Sequence, residues 1–454
     1  MAAAPLTVIV GAGISGLTCA YALKKSGQNV RVLEASARRG GYIDTVEESG
    51  FLFELGPQSF SGTEPLFKLC EELGISDQLV EAPHDAPRYI VIDGKLVPVP
   101  MSPGAFLASS LLSWKTKFSI IADVFRTSVP AHTDESVATF VRARFTSELL
   151  DRLVGPFVSG IYAGDPEKLS LQAAFPKIYE AEKVSGSVIR GSIRQAKSKT
   201  VTQQTRRPGL YSFQKGNATL PQALADFLGT AIRYNAKVEQ AIRREGDCFV
   251  LRIESNTGSE EIRAQRLVLA TPTGVNADLL RLIAPAATFP SSDIEYAPVA
   301  VVSHGYHKDQ VGTPLRGFGF LIPSSEKMRT LGTVWNSSLF AGRTPAEHIL
   351  MTSFIGGAGK SNRERLSEAE SAEIVRREVG GLLRISGGPV IERVVDYRLA
   401  IPQYNIGHRQ RLQTIREAAA NVPGLWLTGN YWQGPSVGAC IEHSLAVAEE
   451  IQIS

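Results

Sequence analysis

Two glycine-rich turns could do chemistry in this chain, one near each end. The first is GAGISG, Gly11 to Gly16, directly after the apolar run Val8–Val10. It fits G-x-G-x-x-G, in which Gly11 permits a tight turn, Gly13 lets the backbone approach a pyrophosphate and Gly16 lets a helix pack closely on a strand. Glu34 stands about 20 residues on, where a carboxylate accepts the two hydroxyls of a ribose and would repel a 2′-phosphate. That spacing predicts a bound dinucleotide at a helix N-terminus, whose unpaired N–H groups and partial positive charge suit phosphate. The second turn lies in LWLTGNYWQGPSVGACIEHS, Leu425 to Ser444. It repeats the order apolar strand, glycine turn, helix.

The elements that must position these turns are legible as patterns. Thr7–Glu34 reads strand, turn, helix, strand, with Val8, Ile9 and Val10 buried on both faces and Gly27 ending the helix. RYIVIDGKLVPVP carries Asp93-Gly94 between two β-rich runs, a two-residue hairpin signal. Ser102–Leu153 reads as helical, with Ser102-Pro103 as its cap. The basic, Gly/Ser-containing stretch Lys183–Gly209 reads as a flexible linker or mobile loop. Strand patterns return at Val299–His307, Gly317–Ile322, Leu331–Trp335 and Met351–Ile355, and a helix pattern at Glu368–Leu383.

Composition excludes several classes. The chain has 454 residues, 43% hydrophobic and 20% charged, with a net charge of +3. That is ordinary globular composition, too weakly basic to argue for nucleic acid. Cys19, Cys70, Cys248 and Cys440 are scattered without C-x-x-C, which predicts no disulfide framework and fits a reducing compartment. His304 and His307 lie close in sequence but lack a metal-binding context, so no metal is expected. There is no run of about 18 apolar residues to span a membrane, and no leader is expected before the first strand.

After Glu34 comes EASARRGGYIDT, in which an arginine precedes paired glycines. This is similar to the E-A-x-x-R-x-G-G motif of the FAD-dependent amine oxidase and protoporphyrinogen oxidase superfamily. GNATLPQAL, AKVEQAIRR and RLVLATP resemble the second dinucleotide segment of those flavoproteins, and WLTGN with SVGACIEHS their last strand, turn and helix. The resemblance implies FAD as cofactor. It implies contacts from Gly11, Gly13, Ile14, Ser15, Gly16, Glu34 and Ala35, and from Arg38, Gly40 and Gly41 along the pyrophosphate and ribityl chain. It adds Gly56, Pro57 and Gln58, Val238 through its backbone to adenine, and Ala270 and Thr271. At the far end it adds Gly429, Asn430 and Ser436, with Val437 and Gly438 at a helix N-terminus facing the flavin ring. The implied fold is α/β (α+β): a discontinuous Rossmann-like FAD-binding domain (1–80, 206–285, 411–454), a β-sheet substrate domain (81–97, 286–410) and an inserted α-helical domain (98–205).

The middle of the chain narrows the resemblance. FELGPQSF, GPFVSGIYAGDPEKLSLQAAFP, LRGFGFLIPS, TLGTVWNSSLF and TSFIGG resemble the porphyrinogen-oxidising branch, which comprises protoporphyrinogen oxidases and coproporphyrinogen III oxidases. By that resemblance Arg88 binds a propionate through its planar fork. Leu321 and Val334 sandwich a pyrrole, with Val334 standing where leucine is commoner. Phe354 stacks on a neighbouring ring, and small Ser159 and Gly160 admit the macrocycle. No side chain is assigned a catalytic role, because the flavin takes the hydride. Expected partners are protoporphyrinogen IX or coproporphyrinogen III and O2. A haem-pathway chelatase and a second copy in a homodimer are also expected. The interrupted apolar segment Ser102–Phe125 suits the face of a membrane, which implies a cytoplasmic protein peripheral to it. Another amine or carotenoid oxidase, and a non-catalytic flavin binder, stay open as competing classes.

Overall fold

A computed structural model describes residues 5–127, 133–198, 209–255, 258–359 and 366–453. Its centre is a five-stranded parallel sheet in the order Ile232–Arg233, Asn29–Leu33, Leu6–Val10, Arg266–Leu269, Leu425–Leu427. These strands come from three distant parts of the chain. Successive side chains of a strand point to opposite faces, and the apolar run at Val8–Val10 feeds both. Ile9, Val32 and Val268 pack beneath the helices Ile14–Lys25, Thr219–Leu228 and Val437–Ile453. Val8, Val10, Leu267, Leu269 and Leu427 pack on the other side. There they meet Phe249, Leu251 and Ile253 of a three-stranded antiparallel sheet, and Leu412 and Ile415 of the helix His408–Ala420.

A second sheet has seven strands: Ile391–Pro402, Tyr296–His307, His348–Gly356, Thr330–Val334, Gly319–Leu321, Arg88–Ile92 and Lys95–Pro98. Asp93 and Gly94 both have positive φ, 51° and 70°, the conformation a two-residue hairpin demands. One face, bearing Val302, Phe320, Met351 and Ile355, is covered by the helix Glu368–Leu383. Ser367 and Glu370 close that helix's N-terminus as a reciprocal capping box. The other face turns toward short helices between Pro103 and Ser198.

Those helices are shorter than the continuous pattern suggests. Ser102, Ser113, Ser136 and Thr146 each cap a separate one, because a Ser or Thr hydroxyl satisfies first-turn N–H groups and starts a new helix wherever it stands.

The expected linker Lys183–Gly209 needs correction. Its first part is the end of a helix, Pro176–Ser185, and a second helix, Val188–Ser198. Gly186 at φ 71° separates them. Ser187 Oγ accepts from Arg190 N at 3.1 Å and donates to buried Asp123 at 2.8 Å. The Arg190 guanidinium caps the carbonyls of Val124 and Arg126 at 3.0 and 2.7 Å. Arg190, expected within a linker, is thus part of the packing. Residues 199–208 lie outside the described residues.

Among the described residues no helix is long and apolar enough to cross a membrane, and no cluster of acids, histidines and cysteines could hold a metal. The four cysteines are free thiols.

Two buried imidazoles brace the C-terminal turn. His408 Nε2 donates to the Tyr431 carbonyl at 2.9 Å, and His443 Nδ1 meets Thr428 Oγ1 at 3.0 Å. Burial pushes both down to about 4. Their stabilising effect is therefore present above the ordinary value near 6.5 and is lost as pH falls through 4. Thermal unfolding followed by circular dichroism should show stability falling between pH 6.5 and 4, on the order of 3 kcal/mol per imidazole. His408→Gln should flatten that slope.

Candidate functional site

The N-terminal turn is built from backbone. Gly11 has φ +105° and donates its N–H to the Leu33 carbonyl at 2.8 Å. Gly16 is buried, and a Cβ there would overlap the Gly11 carbonyl oxygen and press on Ala270. Gly40 donates to the Ala12 carbonyl at 2.8 Å, and Gly13 and Gly40 form a parallel bridge. The paired glycines after Arg38 therefore lie against the first turn. Ile14 is half-buried beside it, and Ser15 is buried.

Glu34 accepts from Ala12 N at 2.8 Å through Oε2, and from Ser36 N and Oγ at 2.8 and 2.7 Å through Oε1. A carboxylate offers about four acceptor sites, so Oε2 keeps one for a ligand hydroxyl. Exposed Ala35 follows it. Arg38 arches over the same loop, donating to the Gly41 carbonyl at 2.7 Å, with Asp44 at 3.6 Å. Val238 stands on the strand that passes behind Glu34, where Ala236 N donates to the Glu34 carbonyl at 2.9 Å.

A dinucleotide fits this donor set. The helix Ile14–Lys25 has glycine as its N-cap, no side-chain cap and no acid in its first turn. Its leading N–H groups thus lack the usual acceptor. A Cβ built on Gly13 meets nothing nearer than Gly41 Cα at 4.0 Å, so the space over the turn is open. Gly16→Val should drive the helix off the Gly11 carbonyl and weaken dinucleotide retention about tenfold or more, equivalent to about 1.4 kcal/mol. The ratio of cofactor absorbance to protein after gel filtration measures it.

The C-terminal turn meets the same sheet edge. Gly429 and Gly434 have φ of +150° and +135°. The Asn430 carbonyl accepts from Tyr404 at 2.5 Å. Asn276 Nδ2 joins this turn to the middle segment, donating to Tyr431 Oη at 3.0 Å and to the Thr271 carbonyl at 3.1 Å. Ala270 lies against Gly11 and Gly16. Ser436 Oγ caps the closing helix at Ala439 N, 3.2 Å, and Val437 and Gly438 open it, both buried. Gly438 packs on Thr63, whose buried Oγ1 has no hydrogen-bond partner among the described residues.

Gly56, Pro57 and Gln58 run beside a buried polar network that the motifs did not flag. Gln58 Nε2 donates to the carbonyls of Glu54 and Gly56 at 3.0 and 2.8 Å, and its Oε1 accepts from Asn336 at 2.6 Å. The Gln58 side chain is thus spent inside the protein, which leaves its backbone for a ligand. Glu54 accepts from Asn217 N at 2.8 Å and Thr45 Oγ1 at 2.7 Å, and Arg343 stands 3.9 Å away. Asn217 Nδ2 holds the Pro57 carbonyl at 2.7 Å. The available signal was one acid inside the apolar run FLFEL.

Burial pushes Glu54 up to about 7, against the opposing pull of Arg343. A raised acid contributes stability that is full below its unfolded value near 4.5 and is lost as pH rises through 7. The difference in unfolding free energy between wild type and Glu54→Gln should change over that window, by on the order of 3 kcal/mol. Chemical denaturation at several pH values measures it.

The remaining candidates belong to the seven-stranded sheet. Residues paired across strands share a face. Leu321 pairs with Gly332 and Gly332 with Phe354, while Gly319 pairs with both Val334 and Arg88. Arg88, Leu321, Val334 and Phe354 therefore share one face. The helix Gly155–Tyr162 crosses it, and Gly160 lies directly against Leu321. Half-buried Ser159 precedes Gly160 on that helix. Arg88 is exposed, 5.4 Å over the Phe318 ring, with Met101 Sδ at 3.9 Å and no acid paired to it among the described residues. Its guanidinium is free for an external carboxylate.

Comparison with known proteins adds names. Residues 14–452 match the family model of flavin containing amine oxidoreductases. A chloroplastic protoporphyrinogen oxidase of Nicotiana tabacum is 36% identical over 98% of this chain and 85% of its own length. A coproporphyrinogen III oxidase of Bacillus subtilis is 27% identical over 98% of this chain and 97% of its own. Among solved structures, a candidate protoporphyrinogen oxidase from Exiguobacterium sp. 255-15 superposes with a TM-score of 0.84 at 25% identity, covering 99% of both chains. A putrescine oxidase variant shares the fold, with a TM-score of 0.72 at 16% identity over 99% of both chains.

Proposed function

The chain belongs to the flavin containing amine oxidoreductases and carries FAD, and from that premise we propose that it oxidises protoporphyrinogen IX to protoporphyrin IX, with O2 as the terminal acceptor. The observation that supports this substrate most is the shared sheet face. It offers aliphatic and aromatic walls for a large macrocycle, and one unpaired guanidinium at its edge.

When bound, FAD supplies the hydride acceptor. The uncapped turn at Gly13 and the C-edge acid Glu34 hold the nucleotide half. Val437 and Gly438 aim a helix N-terminus at the flavin half, where its partial positive charge favours the electron-rich ring. Arg88 pairs with a propionate and fixes which edge of the macrocycle enters. Leu321, Val334 and Phe354 hold the ring plane and exclude water. None of these residues exchanges protons, so the work of the face is orientation.

A second feature concerns location. Trp114, Phe118 and Phe125 are 58%, 63% and 79% exposed on or just beyond the helix Trp114–Asp123. That supports a peripheral seat on a membrane surface, from which an apolar product could pass on.

The test is a rate comparison on the two porphyrinogens under air, read by porphyrin fluorescence. Faster turnover of protoporphyrinogen IX supports the reading, and a clear preference for coproporphyrinogen III overturns it. Arg88→Ala should raise KM roughly tenfold, about 1.4 kcal/mol, with flavin content unchanged. Loss of flavin would remove Arg88 from the substrate site.

A further inference from the structure

Leu321 is the one wall residue held between two glycines. On the helix side, a Cβ on Gly160 would lie 2.6 Å from Leu321 Cδ2, 3.4 Å from Cδ1 and 3.6 Å from Cγ. On the sheet side, a Cβ on Gly332 would lie 2.9 Å from the same Cδ2 and 2.7 Å from the Phe320 carbonyl oxygen. Neither glycine has positive φ among the described residues. Their backbones could carry any residue, so conformational freedom is not what calls for glycine at either place. The requirement is space, filled at Gly160 by the Leu321 side chain and at Gly332 by the Phe320 carbonyl oxygen and the same leucine methyl.

The register makes that methyl consequential. Leu321, Gly332 and Phe354 form one row across three adjacent strands. Strands lie about 4.8 Å apart, so Leu321 and Phe354 rise from strands about 9.6 Å apart with no side chain between them. Gly332 is the floor of that gap, and the rotamer it permits sets how far Leu321 leans into it.

We infer that Gly332 is a specificity-determining positioning residue: it sets the width of the cleft between Leu321 and Phe354 by fixing where the Leu321 side chain lies. The inference rests on the porphyrinogen reading above. It assigns a function of its own to Gly332, which the motif TLGTVWNSSLF contains without a role, and it makes Gly160 act on substrate through Leu321.

A double-mutant cycle tests it. KM, kcat and flavin per chain are measured on protoporphyrinogen IX for wild type, Gly332→Ala, Leu321→Ala and the double variant. Gly332→Ala should raise KM about fivefold with kcat and flavin content near wild type. In the Leu321→Ala background the same change should move KM less than about twofold, because the displaced methyls are gone. Wild-type KM in Gly332→Ala, or an equal fold-change in both backgrounds, overturns the inference. The latter would place the effect in the Phe320 backbone. Gly160→Ala meets only the Leu321 side chain, so it decides the matter by the same cycle if Gly332→Ala does not fold. Wild type active with uncoupled variants defeats this inference alone. Wild type inactive on both porphyrinogens defeats the porphyrinogen reading and this inference with it.

Discussion

One electrostatic constraint organises the molecule: two helix N-termini must reach the same edge of one parallel sheet with neither bearing an acid in its first turn. The helices Ile14–Lys25 and Val437–Ile453 both meet it. Each follows the C-terminal end of a strand, and those strands are separated by only Arg266–Leu269. The two helices pack against one another. An end that lacks internal acceptors and carries partial positive charge is a standing demand for an anion or an electron-rich group. Two such ends side by side suit a ligand with a phosphate at one point and a reducible ring at another. The discontinuity of the chain follows. A parallel strand cannot be added by a hairpin, so the last strand is free to come from the far end, and the stretches between the sheet's three contributing segments are available to build something else.

What is built must then be registered against the sheet, and buried polar groups do this. Arg343, from the loop that follows the strand Thr330–Val334, reaches Ser212 Oγ at 2.7 Å and the Phe213 carbonyl at 3.0 Å. Asn336 meets Gln58. Glu54 ties Thr45 to Asn217. Burying Glu54 and Arg343 is costly, and Arg343 Nη1 has no hydrogen-bond partner among the described residues. An apolar seam of equal volume would be as stable or more so. What an apolar seam lacks is direction. Each hydrogen bond here fixes one angle between the segment Gly56–Gln58 and the sheet that bears Leu321 and Phe354, and hydride transfer is sensitive to such placement.

The two halves of the site differed in how much of them could be read from sequence. At the nucleotide end the chemistry is done by backbone, and backbone geometry selects residue type. Gly11 must adopt φ +105° and Gly16 must pack against a carbonyl, so glycine is forced and visible. Glu34 is visible for a similar reason, as the acid that ends an apolar strand. The expected dinucleotide followed from these, and FAD with the α/β fold from the resemblance carried by Arg38, Gly40, Gly41 and the C-terminal turn. At the substrate end the chemistry is contact. Leu321, Val334 and Phe354 are ordinary strand residues, and nothing in their types separates a cleft wall from a core. Only strand register puts them on one face with Arg88. The basic stretch after Lys183 failed in the opposite sense. The stretch reads as a linker because its residues are basic and small, whereas the Arg190 guanidinium is consumed by the carbonyls of Val124 and Arg126. Glu54 and Arg343 were passed over because each partner is meaningless without the other, and 289 positions part them in the chain.

Glycine does three separate jobs here, and only one is the usual one. At Gly11 and Gly429 it supplies a φ that other residues resist. At Gly16 it permits backbone to touch backbone. At Gly160 and Gly332 φ is ordinary; the neighbour at Gly160 is the Leu321 side chain, and at Gly332 it is the Phe320 carbonyl oxygen together with a Leu321 methyl. A cleft for a flat ring can be made by adding walls or by omitting a floor. Adding walls costs rotamer entropy and risks filling the cleft in the free protein. Omission leaves one leucine lying over a gap whose base is sheet backbone, its place set by the glycines beneath and beside it. The strands that bear Gly332 and Phe354 are also joined on paired positions by the Thr333–Ser353 hydroxyl contact. In the proposed reading such a face holds a ring plane through its backbone and one seated side chain, because orientation is the work asked of it.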